Sequence, residues 1–221
     1  YFIFFLNTTI TNNGTDVQKA VFRDIVQRDI MSQFFYLKFM FYDSYVEIRK
    51  SQRKLIDLYR ELLRADIDLT KSLLDAFAPS VVACNDPLAR EYLRLGYRET
   101  VNTSIETGMA DAYRPTLYSM RLYKYVKAIK RIKEAKKYAF YAGIRAKMTA
   151  EEKKKIPSIT LADVSARLEG VVPKAEVERF KLQSLDAFYR TAAAKSFFDE
   201  LWENPDLENL PDFKTYMKTD K

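Results

Sequence analysis

Residues 15–78, TDVQKAVFRDIVQRDIMSQFFYLKFMFYDSYVEIRKSQRKLIDLYRELLRADIDLTKSLLDAFA, contain neither glycine nor proline and lie between Gly14 and Pro79. These two residue types are the ones that most often interrupt or end helices. A stretch of 64 residues without them therefore favours one very long helix or two nearly collinear helices. We expect a break at residues 66–68 and an end at Pro79, because proline cannot donate a backbone hydrogen bond.

Within this stretch, residues 34–45, FFYLKFMFYDSY, are almost continuously apolar or aromatic. A helix that is apolar on every side is buried on several sides, so the pattern predicts that these residues lie inside the fold. On either side of them, apolar residues recur three or four positions apart. That spacing is typical of a helix with one buried face.

The rest of the chain also carries signals that begin and end helices. The beginnings are marked by Thr15 or Asp16, Asn85-Asp86-Pro87, Thr116, Thr160 and Pro173, and the last long helix is expected to end at Asn204-Pro205. The sequence therefore predicts an all-α fold. We expect an elongated or V-shaped bundle of about five to seven helices, several of them long.

This pattern divides the chain into three parts. Residues 1–15 are expected to form an extended N-terminal segment, residues 16–204 an elongated helical domain, and residues 205–221 a C-terminal tail. The helical domain could form two arms, with a hinge near residues 79–86 or 143–160.

Positive charge is concentrated in residues 114–155, which hold fourteen lysines and arginines against three acids: Glu134, Glu151 and Glu152. The local charge of 14 − 3 = +11 exceeds the +7 of the whole chain. Such a strip can be a solvated helix face, a surface for an acidic protein partner, or a surface for nucleic acid or acidic lipid. The residue types alone leave these three interpretations open.

Two groups of residues are candidates for contacts with a protein partner, because arginine and aromatic side chains are enriched at protein interfaces. The basic group is Arg121, Lys124, Lys127, Lys130, Arg131, Lys133, Lys136 and Lys137. The aromatic group is Phe197, Phe198, Trp202, Phe213 and Tyr216.

The composition argues against several kinds of catalytic and metal-binding site. Histidine, the commonest general base and metal ligand, is absent, and Cys84 is the single cysteine. No glycine-rich phosphate loop is present, and Glu203, Asp206 and Glu208 do not have the spacing of a calcium loop. We therefore expect no enzymatic activity, no cofactor, no metal site and no disulfide within the chain.

No apolar run reaches the roughly 18–20 residues that cross a membrane, so we expect no stable membrane insertion. Residues 1–6, YFIFFL, are apolar but lack the basic region and the cleavage site of a signal peptide. They could cover a hydrophobic patch or dock onto another subunit.

Three stretches resemble the flagellar coiling proteins that sheathe the periplasmic flagella of leptospiral spirochaetes. They are the aromatic residues 34–45, residues 85–97 (NDPLAREYLRLGY) and the lysine-rich residues 123–133 (YKYVKAIKRIK). The resemblance implies a periplasmic, non-enzymatic sheath subunit that assembles laterally on the filament and promotes its curvature and cell motility. The partners that it implies are flagellar core filament proteins, sister sheath proteins and further copies of the chain.

The alternative function is a curved helical module that binds membranes or nucleic acid through the basic residues 114–155. Of these two ligands, nucleic acid is not expected. The tyrosines among the lysines could stack on bases, but their spacing fits packing against other helices better.

Overall fold

The computed structural model describes residues 2–156, 158–208, 210 and 213. Within these residues it is all-α, with no strand, which confirms the predicted fold class. The described helices are α1 (Asn7–Asn13), α2 (Asp16–Leu37), α3 (Phe41–Ala83), α4 (Pro87–Ala112), α5 (Tyr118–Lys147), α6 (Ala150–Lys155), α7 (Leu161–Val171), α8 (Val177–Ala187) and α9 (Phe197–Glu203). Two short 3-10 helices, Phe4–Leu6 and Lys174–Glu176, precede α1 and α8. The described residues form nine α-helices, more than the predicted five to seven, because α1, α6 and α9 are additional short helices.

The chain reverses direction between α2 and α3, so residues 15–78 form an antiparallel hairpin and not one collinear rod. Thr15 begins α2 with a reciprocal cap, in which Gln18 N–H donates to Thr15 Oγ1 and Thr15 N–H donates to Gln18 Oε1. The α2 helix ends at Leu37, and Phe39 adopts a left-handed backbone with φ of 61°. The turn allows Ser51 Oγ in α3 to donate to Ile25 O in α2.

The α3 helix continues for 43 residues without a break at residues 66–68, so the predicted break is wrong. Asp66 is buried and pairs with Lys136 of α5, which holds this part of α3 against its neighbour. Pro79 lies inside α3, and the helix continues to Ala83. A proline so near the end removes one backbone hydrogen bond and does not stop the last turn. At 1.5 Å per residue, α3 is about 65 Å long.

Helices α3, α4 and α5 form a three-helix bundle. Asp86 begins α4 by accepting hydrogen bonds from the N–H groups of Leu88 and Ala89, while Pro87 occupies the first helical position. Within the predicted start signal Asn85-Asp86-Pro87, the capping residue is therefore Asp86. The α4 helix runs antiparallel to α3, and α5 runs parallel to α3.

Two apolar cores follow one another along α3 and α5. The first contains Tyr59 and Tyr125, whose rings stack 5.9 Å apart, and it is closed on its other sides by α2, α9 and the N-terminal residues. The second contains Phe140 of α5 and Phe180 of α8, together with residues of α3 and α7. Gly143 does not end α5, but it allows the Phe77 ring of α3 to approach the backbone closely.

The structure corrects the predicted conformation of both chain ends. The N-terminal segment is helical rather than extended, and its Leu6 and Ile10 side chains are wholly buried in the first core. The long helix predicted from Pro173 divides into α8 and α9, because Tyr189 has a left-handed backbone with φ of 57°. The end of α9 at Glu203, just before Asn204-Pro205, confirms the predicted stop signal. The division into three parts with a hinge stays a prediction.

Replacing Gly143 with alanine is expected to lower the free energy of unfolding by about 1–3 kcal/mol. The new methyl carbon would lie only 2.8 Å from Phe77 Cδ2, so the buried ring must move. Chemical denaturation followed by far-UV circular dichroism measures the change. Gly170→Ala is the matched control, because a methyl group there meets no atom within 4 Å. Equal stability of the two variants would contradict the close packing of α3 on α5.

Candidate functional site

The basic residues of α5 are largely neutralised within the chain. Lys124 and Lys127 both pair with Glu106, at 3.0 and 3.2 Å, and Arg131 pairs with Glu99 at 2.7 Å. These two glutamates lie on α4, outside residues 114–155, so a count of charges along the segment does not include them. The strip is therefore an interface between two helices of this chain for most of its length.

The remaining members of the basic group occupy different environments. Arg121 is buried and donates through Nε to Ala110 O, and Lys137 pairs with Glu134 at 2.6 Å. Lys130 is the exposed one of the eight, and its Nζ lies 4.5 Å from the centroid of the Phe5 ring. Of this basic group, the structure leaves Lys130 exposed and Lys127 and Arg131 partly exposed.

Lys133 and Lys136 are 0% and 1% exposed, which corrects their predicted position on the surface. Together with Asp66 and Asp186 they form a buried charge cluster. Lys133 Nζ lies 2.8 Å from Asp186 Oδ1, and Lys136 Nζ lies 2.8 Å from Asp66 Oδ1 and 3.5 Å from Asp186 Oδ2. The hydroxyl of Thr8 in α1 also donates to Asp186 Oδ1. This cluster of two cations and two anions joins α1, α3, α5 and α8.

The surroundings of the buried charge cluster shift the pKa of its members in different directions. Burial by itself raises the pKa of Asp186, but the charges of Lys133 and Lys136 and the hydrogen bonds outweigh it and lower the pKa to about 2. Burial lowers the pKa of Lys133, whereas the two carboxylates around Lys136 overcome its burial and raise its pKa. Burial raises the pKa of Asp66, whose Oδ2 has no hydrogen-bond partner among the described residues.

The aromatic candidates near the C-terminus lie mainly in packing contacts. Phe197 packs against Phe22, and Phe198 stacks on Trp202 with the ring centroids 5.7 Å apart. Trp202 is 44% exposed, and Phe213 packs against Phe34 of α2. Tyr216 lies outside the described residues.

A different group of apolar side chains is exposed at the turn between α2 and α3, and we call it the aromatic tip. Each of its side chains is at least 55% exposed, with Phe39 at 80% and Tyr42 at 78%. This corrects the prediction of burial for most of residues 34–45, because the hairpin turn projects these side chains away from the bundle. Phe35 is buried as predicted, and Phe34 and Met40 are partly buried beside it. The members of the aromatic tip are Tyr36, Leu37, Phe39, Phe41, Tyr42 and Tyr45.

Buried polar contacts join the two helices directly behind the aromatic tip. Glu47 of α3 is wholly buried and accepts from Arg28 Nη1 of α2 at 2.7 Å and from Lys50 Nζ at 2.6 Å. Ser32 Oγ donates to Ser44 O at 2.9 Å. These contacts fix the hairpin, so the exposed rings are presented on a rigid support.

The aromatic tip has the chemistry of a binding surface rather than that of a catalytic site. Phe39 and Phe41 meet edge to face at 6.1 Å, and Phe41 meets Tyr36 in the same way at 5.5 Å. Rigid aromatic side chains offer large contact areas at a small entropic cost. Across residues 2–156, 158–208, 210 and 213, no group of three or more acidic or cysteine side chains could hold a metal ion. In the same residues, no helix combines the length and the apolar character of a membrane span.

Replacing Lys133 with methionine is expected to lower the free energy of unfolding by about 3–5 kcal/mol, because Asp186 loses its nearest buried cation. Lys130→Met, the matched change three residues away, should cost less than about 1 kcal/mol because that side chain is exposed. Urea denaturation compares the two variants. Similar losses for both would show that Lys133 is solvated.

The stability of the chain should also fall in acid through Asp186. Its pKa is 3.8 in an unfolded chain and about 2 in the folded one, so its carboxylate contributes fully above about pH 4. That contribution is lost as the pH falls from about 4 to about 2. Thermal unfolding at a series of pH values should therefore show a shallower acid decline for Asp186→Asn than for the native chain. Parallel declines would contradict the lowered pKa.

Comparison with known proteins gives one finding: the model of a leptospiral family, described as surface protein adhesin OmpL37, matches residues 1–215. No curated protein and no solved structure matches the chain. The finding retains the leptospiral part of the resemblance but overturns the predicted flagellar function. The expectation of a sheath subunit that coils the filament and serves motility is wrong, and the family supports neither the membrane-binding nor the nucleic-acid-binding alternative. Because the match covers nearly the whole sequence, the chain belongs to the surface protein adhesin OmpL37 family.

Proposed function

We propose that the chain is a non-enzymatic adhesin of the cell surface and that the aromatic tip is the part that contacts its ligand. The observation that carries this proposal is the exposure of six large apolar side chains on one rigid turn. The family supports the adhesive role, and the exposed rings support the aromatic tip as the site of ligand contact.

Keeping these apolar side chains in water is unfavourable in free energy, and the contacts that they make among the described residues leave them mostly exposed. Burial of apolar surface is favourable by about 25 cal/mol per Å², and a soluble chain seldom keeps contiguous apolar side chains in water without a use for them. Aromatic residues are enriched in the few positions that supply most of the energy of a protein interface. The aromatic tip therefore favours a ligand with an apolar protein surface.

The position of the aromatic tip also suits contact with another macromolecule. We infer an elongated bundle, because α3 extends for about 65 Å and the aromatic tip lies at its first turn. The second core, with α7 and α8, lies towards the other end of α3. An elongated bundle would place the aromatic tip where a large ligand can reach it without meeting the rest of the chain.

The charges beside the aromatic tip are few, which distinguishes this mode of binding from electrostatic docking. Lys38 and Asp43 are the charged residues between positions 36 and 45, and their charges oppose each other. One further cation, Arg49, lies beside them with its guanidinium carbon 4.9 Å from the centroid of the Tyr45 ring. Salt screens attraction between separated charges but does not weaken apolar contacts. Adhesion through the aromatic tip should therefore persist when the salt concentration rises.

The proposal is tested with a triple variant, Phe39→Asn, Tyr42→Ser and Tyr45→Ser, applied as labelled protein to monolayers of cultured mammalian cells. Asparagine tolerates the left-handed backbone at position 39. We expect the retained protein to fall about tenfold or more, because several exposed anchors are removed at once. Retention of the native chain should change little between low and high salt.

A matched control replaces exposed apolar residues away from the aromatic tip, Val17→Ser and Val82→Ser, which are 74% and 60% exposed. This variant should be retained within about twofold of the native chain. Circular dichroism establishes that both variants are folded. Native retention of the folded triple variant would overturn the proposed position of the ligand contact.

A further inference from the structure

The outward face of α4 carries a second exposed apolar surface, which we call the α4 seam: Val101, Ile105, Gly108 and Ala112. These residues are spaced by four, three and four positions, so they lie on one face of the helix. Val101 is 59% exposed and Ile105 is 55% exposed. Met109, on the flank, is 44% exposed, and its sulfur lies 3.7 Å from Lys124 Nζ.

The exposed positions of α4 carry no charge between Arg98 and Asp111. Besides the α4 seam and Met109, they hold the small polar residue Ser104. The acidic side chains of this part of α4, Glu99 and Glu106, are buried against the cations of α5. A solvated helix face ordinarily carries charged residues, so this uncharged face favours contact with another apolar surface.

The contacts within the chain do not explain Gly108 of the α4 seam. Glycine within a helix is less favourable than alanine, because its backbone loses more freedom on folding. Gly96 of α4 and Gly143 of α5 are explained by side chains that approach them, whereas a methyl group at position 108 would meet no atom within 4 Å. A glycine is useful at such an open position when the backbone of another molecule must approach it closely.

We propose that the α4 seam binds the α4 seam of a second copy of this chain, with the two helices antiparallel. The seam is complementary to itself: a two-fold axis between Ser104 and Ile105 places Val101 of each copy against Gly108 of the other. A large side chain then fills the space that the glycine leaves. The same patch on both subunits is what a two-fold dimer requires.

The charges at the ends of the α4 seam select the antiparallel arrangement. Arg94 and Arg98 follow the seam towards the beginning of α4. Both are largely exposed, although Arg94 pairs with Glu91 and Arg98 pairs with Glu99. A parallel pair would bring each arginine against its own copy, and like charges that face each other are destabilising. In the antiparallel pair they lie beside the C-terminal end of the other α4, where the helix dipole is negative and Asp111 is exposed.

This dimer leaves the aromatic tip uncovered. Arg60 of α3 pairs with Asp111 at the end of α4. The aromatic tip lies about 25 Å further along α3 from that point. Each dimer would therefore present two ligand contacts, and the inference does not depend on the proposed role of the aromatic tip.

Single cysteines placed in the full chain test the arrangement, with Cys84→Ser as the background. Under mild oxidation, Ile105→Cys should form a disulfide dimer because it lies beside the axis. Val101→Cys should cross-link to Gly108→Cys in a mixture far more than either does alone. Efficient self-cross-linking of both Val101→Cys and Gly108→Cys would indicate a parallel pair and overturn the antiparallel arrangement.

Gly108→Ala provides a second test, because the proposal predicts opposite effects on folding and association. The melting temperature, measured at dilutions where the chain is monomeric, should rise by about 2–4 °C, because alanine favours the helix and meets no atom. The dimer dissociation constant, measured by analytical ultracentrifugation, should rise about tenfold or more, because the methyl group separates the backbones. Gly170→Ala, which also meets no atom, should leave the dissociation constant unchanged. A monomeric native chain at its highest soluble concentration, or unchanged association of Gly108→Ala, would overturn the proposal.

Discussion

Lys136 lies between two buried carboxylates, and this contact constrains how the rest of the bundle is assembled. Its ammonium group needs both Asp66 of α3 and Asp186 of α8, while Asp186 in turn needs Lys133 and the hydroxyl groups of α1. A buried charge without its partner costs several kcal/mol, so none of these helices can shift along another without a large penalty. The cluster therefore fixes the register of elements that are far apart in the sequence. Apolar packing alone fixes register less strictly, because many apolar contacts are interchangeable.

Buried polar pairs also explain why the aromatic tip can remain rigid while it is exposed. The Arg28–Glu47 contact and the Ser32–Ser44 contact hold α2 and α3 together beneath the turn, so the exposed rings need not pack on one another to keep the hairpin closed. Such polar contacts remain satisfied whether or not a ligand is bound. The apolar surface above them is therefore available without a change in the fold.

The sequence predicts the local structure well and the contacts between helices poorly. The helical class, the cap at Thr15, the start at Pro87 and the stop before Asn204 follow from interactions within a few residues, so local patterns are sufficient for them. The turn at Phe39 could not be predicted in this way, because no glycine or proline marks it and a bulky residue adopts the left-handed backbone. The basic face of α5 is less exposed than predicted for a related reason. The glutamates that neutralise it belong to α4, and only the folded chain brings them to α5.

The exposure of the aromatic tip also differs from the prediction, since a run of apolar side chains has the same sequence in a core and at an exposed turn. The hairpin geometry decides between the two, and that geometry depends on the buried pairs of α2 and α3. An exposed glycine such as Gly108 gives no signal in the sequence either. Whether such a glycine is needed for packing within the chain depends on whether any atom of the fold lies beside it.

The environment of Trp202 has a consequence for spectroscopy of this protein. It is the single tryptophan, it is partly in contact with water, and it stacks on Phe198 within the seven-residue α9. Its emission therefore reports whether α9 is docked on α1 and α2, and it is insensitive to the second core. A change in tryptophan fluorescence in this chain is therefore a local signal and does not by itself report the loss of the long helices.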